Sequence, residues 1–128
     1  LDLAQNDPAT VRGDAARLEE ALVNLIENAL RYSGSDLIRI TSVISNGRVT
    51  VSVTDFGIGI PAEHLPHLYE RFYRINKSRS RALGGTGLGL AIVKHIVQLH
   101  GGEVAVASDP GRQTTFSFTL PCSTHDEL

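Results

Sequence analysis

The chain has 128 residues, a length that fits one domain. Its single cysteine, Cys122, excludes an internal disulfide framework and a cysteine-based zinc site. Its formal net charge is −2, so no basic field argues for nucleic acid as a partner. No apolar run approaches the roughly 20 residues of a membrane-spanning helix, and we expect no signal peptide at the start. The chain contains no methionine, so we expect it to be a piece of a longer protein.

A short strand and a long amphipathic helix are predicted first. Val11–Gly13 reads as the strand, and Asp14 can cap the helix because its carboxylate can accept from free N–H groups of the first turn. From there to about Tyr32 the apolar residues recur at helical spacing, which gives one buried stripe. These residues are Leu18, Leu22, Leu25, Ile26 and Ala29.

A β-hairpin is predicted next. Leu37–Ser45 and Arg48–Asp55 are rich in Ile, Val and Thr, and Asn46-Gly47 between them is the strongest short hairpin signal. Valine alternates with threonine and serine along the second strand, so we expect one of its faces to be buried.

The second half predicts a short helix over about Ala62–Glu70, a long flexible loop over Arg74–Gly87, and a helix from about Gly87 to His100. The residues expected to face inward on the last helix are Leu88, Ala91, Ile92, Ile96 and Leu99. A second hairpin, Glu103–Ala107 with Thr114–Leu120, completes the chain. The total is about five strands and three helices, an α/β two-layer sandwich with a mixed sheet and the helices on one face.

Two asparagines and an arginine form a polar row on the long helix. Asn24, Asn28 and Arg31 recur at helical spacing, so they fall within about one side-chain width of each other. Asparagine is a poor residue for a helix interior because its side chain competes with the backbone. Amide oxygens beside a guanidinium suit a magnesium ion bound through few protein oxygens plus substrate phosphates. The alternative is a solvated helix face with incidental asparagines.

A carboxylate and two glycines follow the second strand of the first hairpin. Asp55 ends this apolar strand, and a buried carboxylate there could accept hydrogen bonds from an amino group such as that of adenine. Gly57 and Gly59 would let the backbone approach a flat base closely. The alternative is an ordinary aspartate at a strand-to-turn boundary.

A second glycine cluster, Gly85-Thr86-Gly87-Leu88-Gly89, leads into the last helix. Free N–H groups at a helix N-terminus bind phosphate oxygens. The cluster is not a P-loop, since no Gly-Lys-Ser/Thr follows, and it fits neither the Rossmann fingerprint nor the eukaryotic protein-kinase pattern. The alternative is a flexible loop without a ligand.

Together these segments resemble the catalytic, ATP-binding domain of sensor histidine kinases, within the wider ATPase superfamily of gyrase, Hsp90 and MutL. The resemblance covers nearly the whole chain, and its four boxes occur in order at the family spacing. They are the N box (Asn24–Ser33), the G1 box (Asp55–Ile60), the F box (Glu70–Arg74) and the G2 box (Gly85–Leu90).

The resemblance implies ATP and Mg²⁺ as cofactors. Asn28 would be a magnesium ligand, Asn24 would lie beside the ion and the phosphates, and Arg31 would contact phosphate; Asn24 and Arg31 are the catalytic candidates. Asp55 would bind the adenine amine. The other residues implied for the nucleotide site are Tyr32, Gly57, Gly59, Ile60, Phe72, Gly85, Thr86, Gly87, Leu88, Gly89 and Thr115.

Two positions carry further information. Gln113 stands where the family commonly has the second glycine of Gly-x-Gly-Thr in the last hairpin. Asn24 stands where the ATP-hydrolysing members have a glutamate that activates water. Without that general base we expect slow hydrolysis and transfer of the phosphoryl group to a presented acceptor.

No histidine of the chain is a good candidate for the phosphoacceptor; the five are His64, His67, His95, His100 and His125. We therefore interpret residues 1–128 as one catalytic domain of a larger sensor kinase in a two-component system. Its expected partners are its own dimerisation and histidine phosphotransfer domain and a downstream response regulator. The resemblance also implies a membrane-anchored homodimer as the parent, with this domain cytoplasmic. The alternatives are an anti-sigma-type serine kinase and a nucleotide-responsive interaction module without chemistry.

Overall fold

Five β-strands form one mixed sheet in the computed structural model, which describes residues 2–6, 11–32, 37–57, 59–70, 89–109 and 112–122. Along the chain they are β1 (Asp2–Asn6), β2 (Ile38–Ser45), β3 (Arg48–Asp55), β4 (Glu103–Asp109) and β5 (Gln113–Pro121). Their order across the sheet is β1-β2-β3-β5-β4, with β1 parallel to β2 and every other neighbouring pair antiparallel. The predicted mixed sheet of about five strands is confirmed.

The helices cover one face of this sheet. They are α1 (Ala15–Tyr32), a 3-10 helix (Ala62–His67) within the segment predicted as a short helix, and α2 (Gly89–Leu99). Every second side chain of β3 and β5 packs with them into one hydrophobic core, which confirms the two-layer sandwich. The buried apolar residues are Ala21, Leu25, Ala29, Ile38, Val49, Val53, Leu68, Val93, Ile96, Val97, Phe116, Phe118 and Leu120. No helix in the described ranges is long and apolar enough to cross a membrane.

Two local signals in the sequence are confirmed by backbone geometry. Asp14 Oδ1 accepts from the N–H groups of Ala16 (3.0 Å) and Arg17 (3.2 Å), so Asp14 caps α1. Asn46 and Gly47 have φ values of 54° and 74°. Positive φ at both central residues belongs to the type I′ turn, whose twist matches the flanking strands.

The strand predicted over Val11–Gly13 is wrong. These residues form no strand, and the first strand is instead β1, which pairs with β2. Val11 packs against the hydrophobic core from the segment that enters α1, so its apolar side chain has a role that needs no strand partner. The β1 sequence, Asp-Leu-Ala-Gln-Asn, has little β propensity of its own and depends on its neighbour β2.

The predicted inward face of α2 is partly wrong. Ile96 is buried as expected, but Ile92 is 38% exposed and Leu99 is 71% exposed. The other buried residues of α2 are Val93 and Val97. Because apolar residues occur nearly all round this helix, periodicity alone does not determine its rotation. The predicted loop and the start of the helix before Gly89 lie outside the described residues.

α1 and α2 run antiparallel and contact each other near both ends of α2. The N–H of Asp14, before α1, donates to Nε2 of His100, which follows α2 (3.0 Å), and His100 Nδ1–H donates to the carbonyl of Ile96 (2.8 Å). Toward the other end, Asn24 Oδ1 lies against Gly89, 3.4 Å from where a Cβ on that glycine would be. The two helices are therefore registered against each other along most of α2.

We expect Gly102→Ala to destabilise the domain by about 1–3 kcal/mol, the usual cost of overpacking. A Cβ at this position would overlap the carbonyl oxygen of Thr119 and lie 2.9 Å from Val97 Cγ1. Backbone of the sheet cannot move aside as a side chain can, and the N–H of Gly102 also bonds the Val97 carbonyl (2.9 Å). Urea unfolding would measure the loss; an unchanged midpoint would contradict the tight approach of α2's end to β5.

Candidate functional site

A row of side chains crosses the end of the sheet on its helix-covered face. The strand register places Ile38 opposite Asp55, Asp55 opposite Thr114, and Thr114 opposite Ser108. Asp55 is 4% exposed and Thr114 is 2% exposed, and they are the buried polar residues of the described part of the chain. Buried polar groups are costly unless they are paired, so this end of the sheet is a candidate binding site.

Asp55 presents acceptor atoms in a buried setting. Its Oδ1 accepts from the N–H of Gly57 (3.0 Å), which closes the turn after β3. Burial raises the pKa of the Asp55 carboxyl, and the Gly57 hydrogen bond acts in the opposite direction. One backbone donor cannot saturate a carboxylate with about four lone-pair sites. The site is therefore suited to a ligand that donates from an amino group.

Ser108 ties the turn after Asp55 to the last hairpin. Its Oγ accepts from the N–H of Ile60 (2.7 Å), lies 2.9 Å from Thr114 Oγ1, and donates to the carbonyl of Gln113 (3.2 Å). Gly59, just before Ile60, has a φ of 76°. The segment after Asp55 is thus held in a defined path beside the row.

Thr115 does not join this row. Its Oγ1 lies 2.8 Å from Oγ1 of Thr54, and both residues belong to the face of the sheet opposite to Asp55 and the helices. The threonine beside Asp55 is Thr114, because side chains alternate along a strand. Counting back from the apolar pair Phe116 and Phe118 would have indicated Thr114 from the sequence.

The two asparagines lie on α1, on the flank of its buried apolar stripe. Asn24 and Asn28 are half-buried, whereas Ala21, Leu25 and Ala29 are fully buried. Asn24 Nδ2 donates to the carbonyl of Glu20 (3.0 Å), which commits the amide nitrogen and leaves Oδ1 facing the start of α2. Asn24, the first residue of the polar row, therefore presents its oxygen atom toward the helix that follows the second glycine cluster.

The described residues contain no group of three His, Cys, Asp or Glu side chains that could hold a metal. Mg²⁺ is usually held by few protein oxygens together with substrate phosphates. The amide oxygens of Asn24 and Asn28 fit that requirement by their chemistry.

Several predicted site residues lie outside the described side chains. Arg31 and Tyr32 belong to the last turn of α1 by their backbone. The predicted site residues that lie wholly outside the described ranges are Phe72, Gly85, Thr86, Gly87 and Leu88. The structure thus describes the Asp55 row and the start of the polar row, together with Gly57, Gly59, Ile60 and Gly89.

A separate groove of about 460 Å³ lies between the 3-10 helix, α2 and β4. Its lining includes Leu65, Tyr69, Lys94 and Glu103, and none of the predicted site residues. The hydroxyl of Tyr69 donates to the carbonyl of Ala105 (2.8 Å), which satisfies a backbone group on the edge strand β4. The groove lacks a buried carboxylate, so the Asp55 row remains the candidate site.

Comparison with known proteins defines the class. Residues 13–124 match the family described as histidine kinase-, DNA gyrase B-, and HSP90-like ATPase, and the chain belongs to this family. It is 49% identical over 104 residues to the sensor histidine kinase YkoH of Bacillus subtilis, covering 81% of this chain and 23% of YkoH.

Solved structures agree with this assignment. The mycobacterial sensor histidine kinase MprB is 33% identical with a TM-score of 0.74, covering 92% of this chain and 78% of the MprB chain. ShkA, solved in full length in complex with AMPPNP, is 29% identical with a TM-score of 0.79, covering 96% of this chain and 26% of ShkA. The predicted family is thereby confirmed.

Proposed function

We propose that this domain binds Mg-ATP and transfers the γ-phosphoryl group to a histidine on an adjoining dimerisation domain of a two-component sensor kinase. The observation that carries the proposal is the buried Asp55, set at the end of β3 beside Thr114 in a fold of the histidine kinase type. The chain spans only about a quarter of the length of its curated relatives, so the acceptor would come from outside these residues.

Adenine recognition would use the Asp55 row. The carboxylate would accept from the exocyclic amine, a charge-assisted bond worth roughly 1.5–3 kcal/mol. Gly57, Gly59 and Ile60 would line the base, and Tyr32 would pack on it. The relative ShkA was solved with AMPPNP, an adenine nucleotide, which supports the same class of ligand here.

Phosphate binding would use the polar row and the start of α2. Asn28 would hold the magnesium ion, with Asn24 and Arg31 beside the phosphates, and the ion would neutralise the developing charge when bound. Phe72 would anchor the segment that closes over ATP. The backbone from Gly85 to Gly89, with Thr86 and Leu88, would cradle the phosphates at the N-terminus of α2, where free N–H groups point at an anion.

Transfer rather than hydrolysis follows from Asn24. An amide cannot take a proton from water as a glutamate can, so this domain would work by positioning and by charge neutralisation. The phosphoryl group would then pass to a histidine that the dimerisation domain presents, and from there to a response regulator. The parent would be a membrane-anchored homodimer that holds this domain on the cytoplasmic side.

The test is to mix the domain with helical histidine domains and γ-labelled ATP. We expect acid-labile, base-stable label on the partner, the stability of phosphohistidine, and no label on a partner whose acceptor histidine is replaced by glutamine. Acid-stable label on a serine would instead show a serine kinase. ATP binding without label on any histidine domain would show a nucleotide-responsive module.

A further inference from the structure

His100, which follows α2, uses both nitrogens of its ring, and its partners fix which of them carries the proton. The N–H of Asp14 can only donate, so Nε2 of His100 accepts it and carries no proton of its own (3.0 Å). The carbonyl of Ile96 can only accept, so Nδ1 carries the proton and donates it there (2.8 Å). The ring is therefore neutral in this arrangement, and it joins the end of α2 to the entry of α1.

Gly13 provides the space for this ring. A Cβ at Gly13 would overlap Cδ2 and Nε2 of His100, so the imidazole lies directly against the backbone that enters α1. A residue with a side chain at this position would push the ring away from the Asp14 N–H, because its Cβ would occupy the same volume. The contact therefore depends on a matched pair of residues, a glycine before α1 and a histidine after α2.

This hydrogen bond fixes the axial position of α2 in a way that the apolar core does not. Among the described residues, no other hydrogen bond links α1 or its entry to α2 or the residue that follows it. The buried side chains of Val93 and Val97 hold α2 in the core, but hydrophobic burial is non-directional and allows packed helices to slide slightly. A hydrogen bond weakens steeply as its angle departs from linearity, so it opposes such sliding.

The position of α2 at His100 determines the geometry at the other end of the helix. Roughly ten residues, or about 15 Å, separate this contact from the one between Asn24 and Gly89. The backbone hydrogen bonds of a helix keep its length constant, so an axial displacement of α2 at His100 moves Gly89 by the same distance past Oδ1 of Asn24.

We propose that His100 is a positioning residue for the phosphates of the nucleotide, because its hydrogen bond with the Asp14 N–H keeps the start of α2 in register with the polar row of α1. The inference rests on the proposed nucleotide function. The N–H groups at the start of α2 and the oxygen of Asn24 belong to two different helices, so phosphate binding between them would depend on their relative position. The Asp55 row belongs to the sheet, so binding of the base should not depend on His100.

The experiment compares the affinities for Mg-ATP and for adenosine, which has the base and the ribose without the phosphates. In His100→Asn the shorter amide can still donate to the Ile96 carbonyl but cannot reach the N–H of Asp14. We expect the affinity for ATP to fall by about 10-fold, within the loss that a misplacement of about 1 Å can cause, and the affinity for adenosine to stay the same. His100→Gln places its amide oxygen where Nε2 lies and should restore most of the affinity for ATP.

The matched control is His95→Asn, which makes the same substitution at an exposed histidine of α2 and should change neither affinity. Gly13→Ala displaces the ring from the side of α1 and should reproduce the selective loss of ATP binding, which keeps the test valid if His100→Asn does not fold. Equal weakening of ATP and adenosine binding by these variants would mean that His100 only supports the fold, and would overturn the inference. A loss in His100→Gln as large as that in His100→Asn would also contradict it.

Failure of the proposed function gives a different result. A folded wild-type domain that binds neither compound, or that binds ATP no more tightly than adenosine, would overturn the proposed phosphate site and the inference together. Wild-type binding that favours ATP over adenosine, with the same preference in His100→Asn, would leave the kinase function standing and would refute the role of His100.

Discussion

Asp55→Asn is expected to weaken ATP binding by about 100-fold, the upper end of what a charge-assisted hydrogen bond contributes. The asparagine would keep the size of the side chain and could still accept from the Gly57 N–H (3.0 Å in the native domain). It would replace one acceptor oxygen by an NH₂ donor and remove the charge. Isothermal titration calorimetry with ATP would measure the loss.

The same substitution should not unfold the domain, and it should change the pH dependence of stability. Burial raises the pKa of Asp55 in the folded state, so its carboxyl stabilises the fold below the unfolded pKa and loses that contribution as pH rises through the folded pKa. Once the pH has risen above the folded pKa, the ionised, buried carboxylate therefore costs stability. We expect thermal melts to show a larger gain for Asp55→Asn at about pH 8 than at about pH 4.

The control for this pair of measurements is Asp109→Asn. Among the described residues, the exposed Asp109 side chain forms a surface ion pair with Arg112 (3.4 Å), so neither ATP binding nor stability should change much. Tight ATP binding by a folded Asp55→Asn domain would remove Asp55 from the adenine site.

Asn28→Ala is expected to abolish the magnesium dependence of ATP binding and to reduce phosphotransfer by at least about 100-fold. Replacing groups that merely support a metal ligand typically costs 10–100-fold, and a ligand itself should cost no less. Alanine is the better helix former by some tenths of a kcal/mol, so α1 should not weaken. A loss of activity could then not be ascribed to unfolding.

Titrations with ATP at varied magnesium concentration would measure this effect. Gln98→Ala is a suitable comparison, because it also removes an amide from a helix but at an exposed position on α2. A magnesium response in Asn28→Ala equal to that of the wild type would exclude Asn28 as a ligand.

The parts of the fold that the sequence predicts well are those set by local chemistry. The Asp14 cap, the Asn46-Gly47 turn and the buried stripe of α1 depend on a few neighbouring residues, and the structure has all three. β1 depends on pairing with a strand more than thirty residues away, which no local pattern records. The rotation of α2 is set by contacts with α1 and the sheet, since its apolar residues occur on several sides.

The candidate site also contains residues that local sequence patterns predict and residues that depend on contacts between distant segments. Asp55 stands out because it ends an apolar strand and precedes two glycines, and the structure buries it as expected. The sequence predicts Thr115, whereas the structure places Thr114 opposite Asp55, and the alternation of side chains along a strand separates the two. Ser108 has no motif, since its role arises only where two strands and a turn meet.

The two contacts described between α1 and α2 fix the position of one helix along the other. At one contact the N–H of Asp14 donates to His100, and at the other Asn24 lies against Gly89. The two contacts are separated by roughly ten residues, or about 15 Å, along each helix. The polar row that we propose to hold magnesium and the positive end of the α2 dipole are therefore kept side by side by two packed helices. The distance over which the charge of a bound nucleotide would be neutralised is then set by the packing of the two helices.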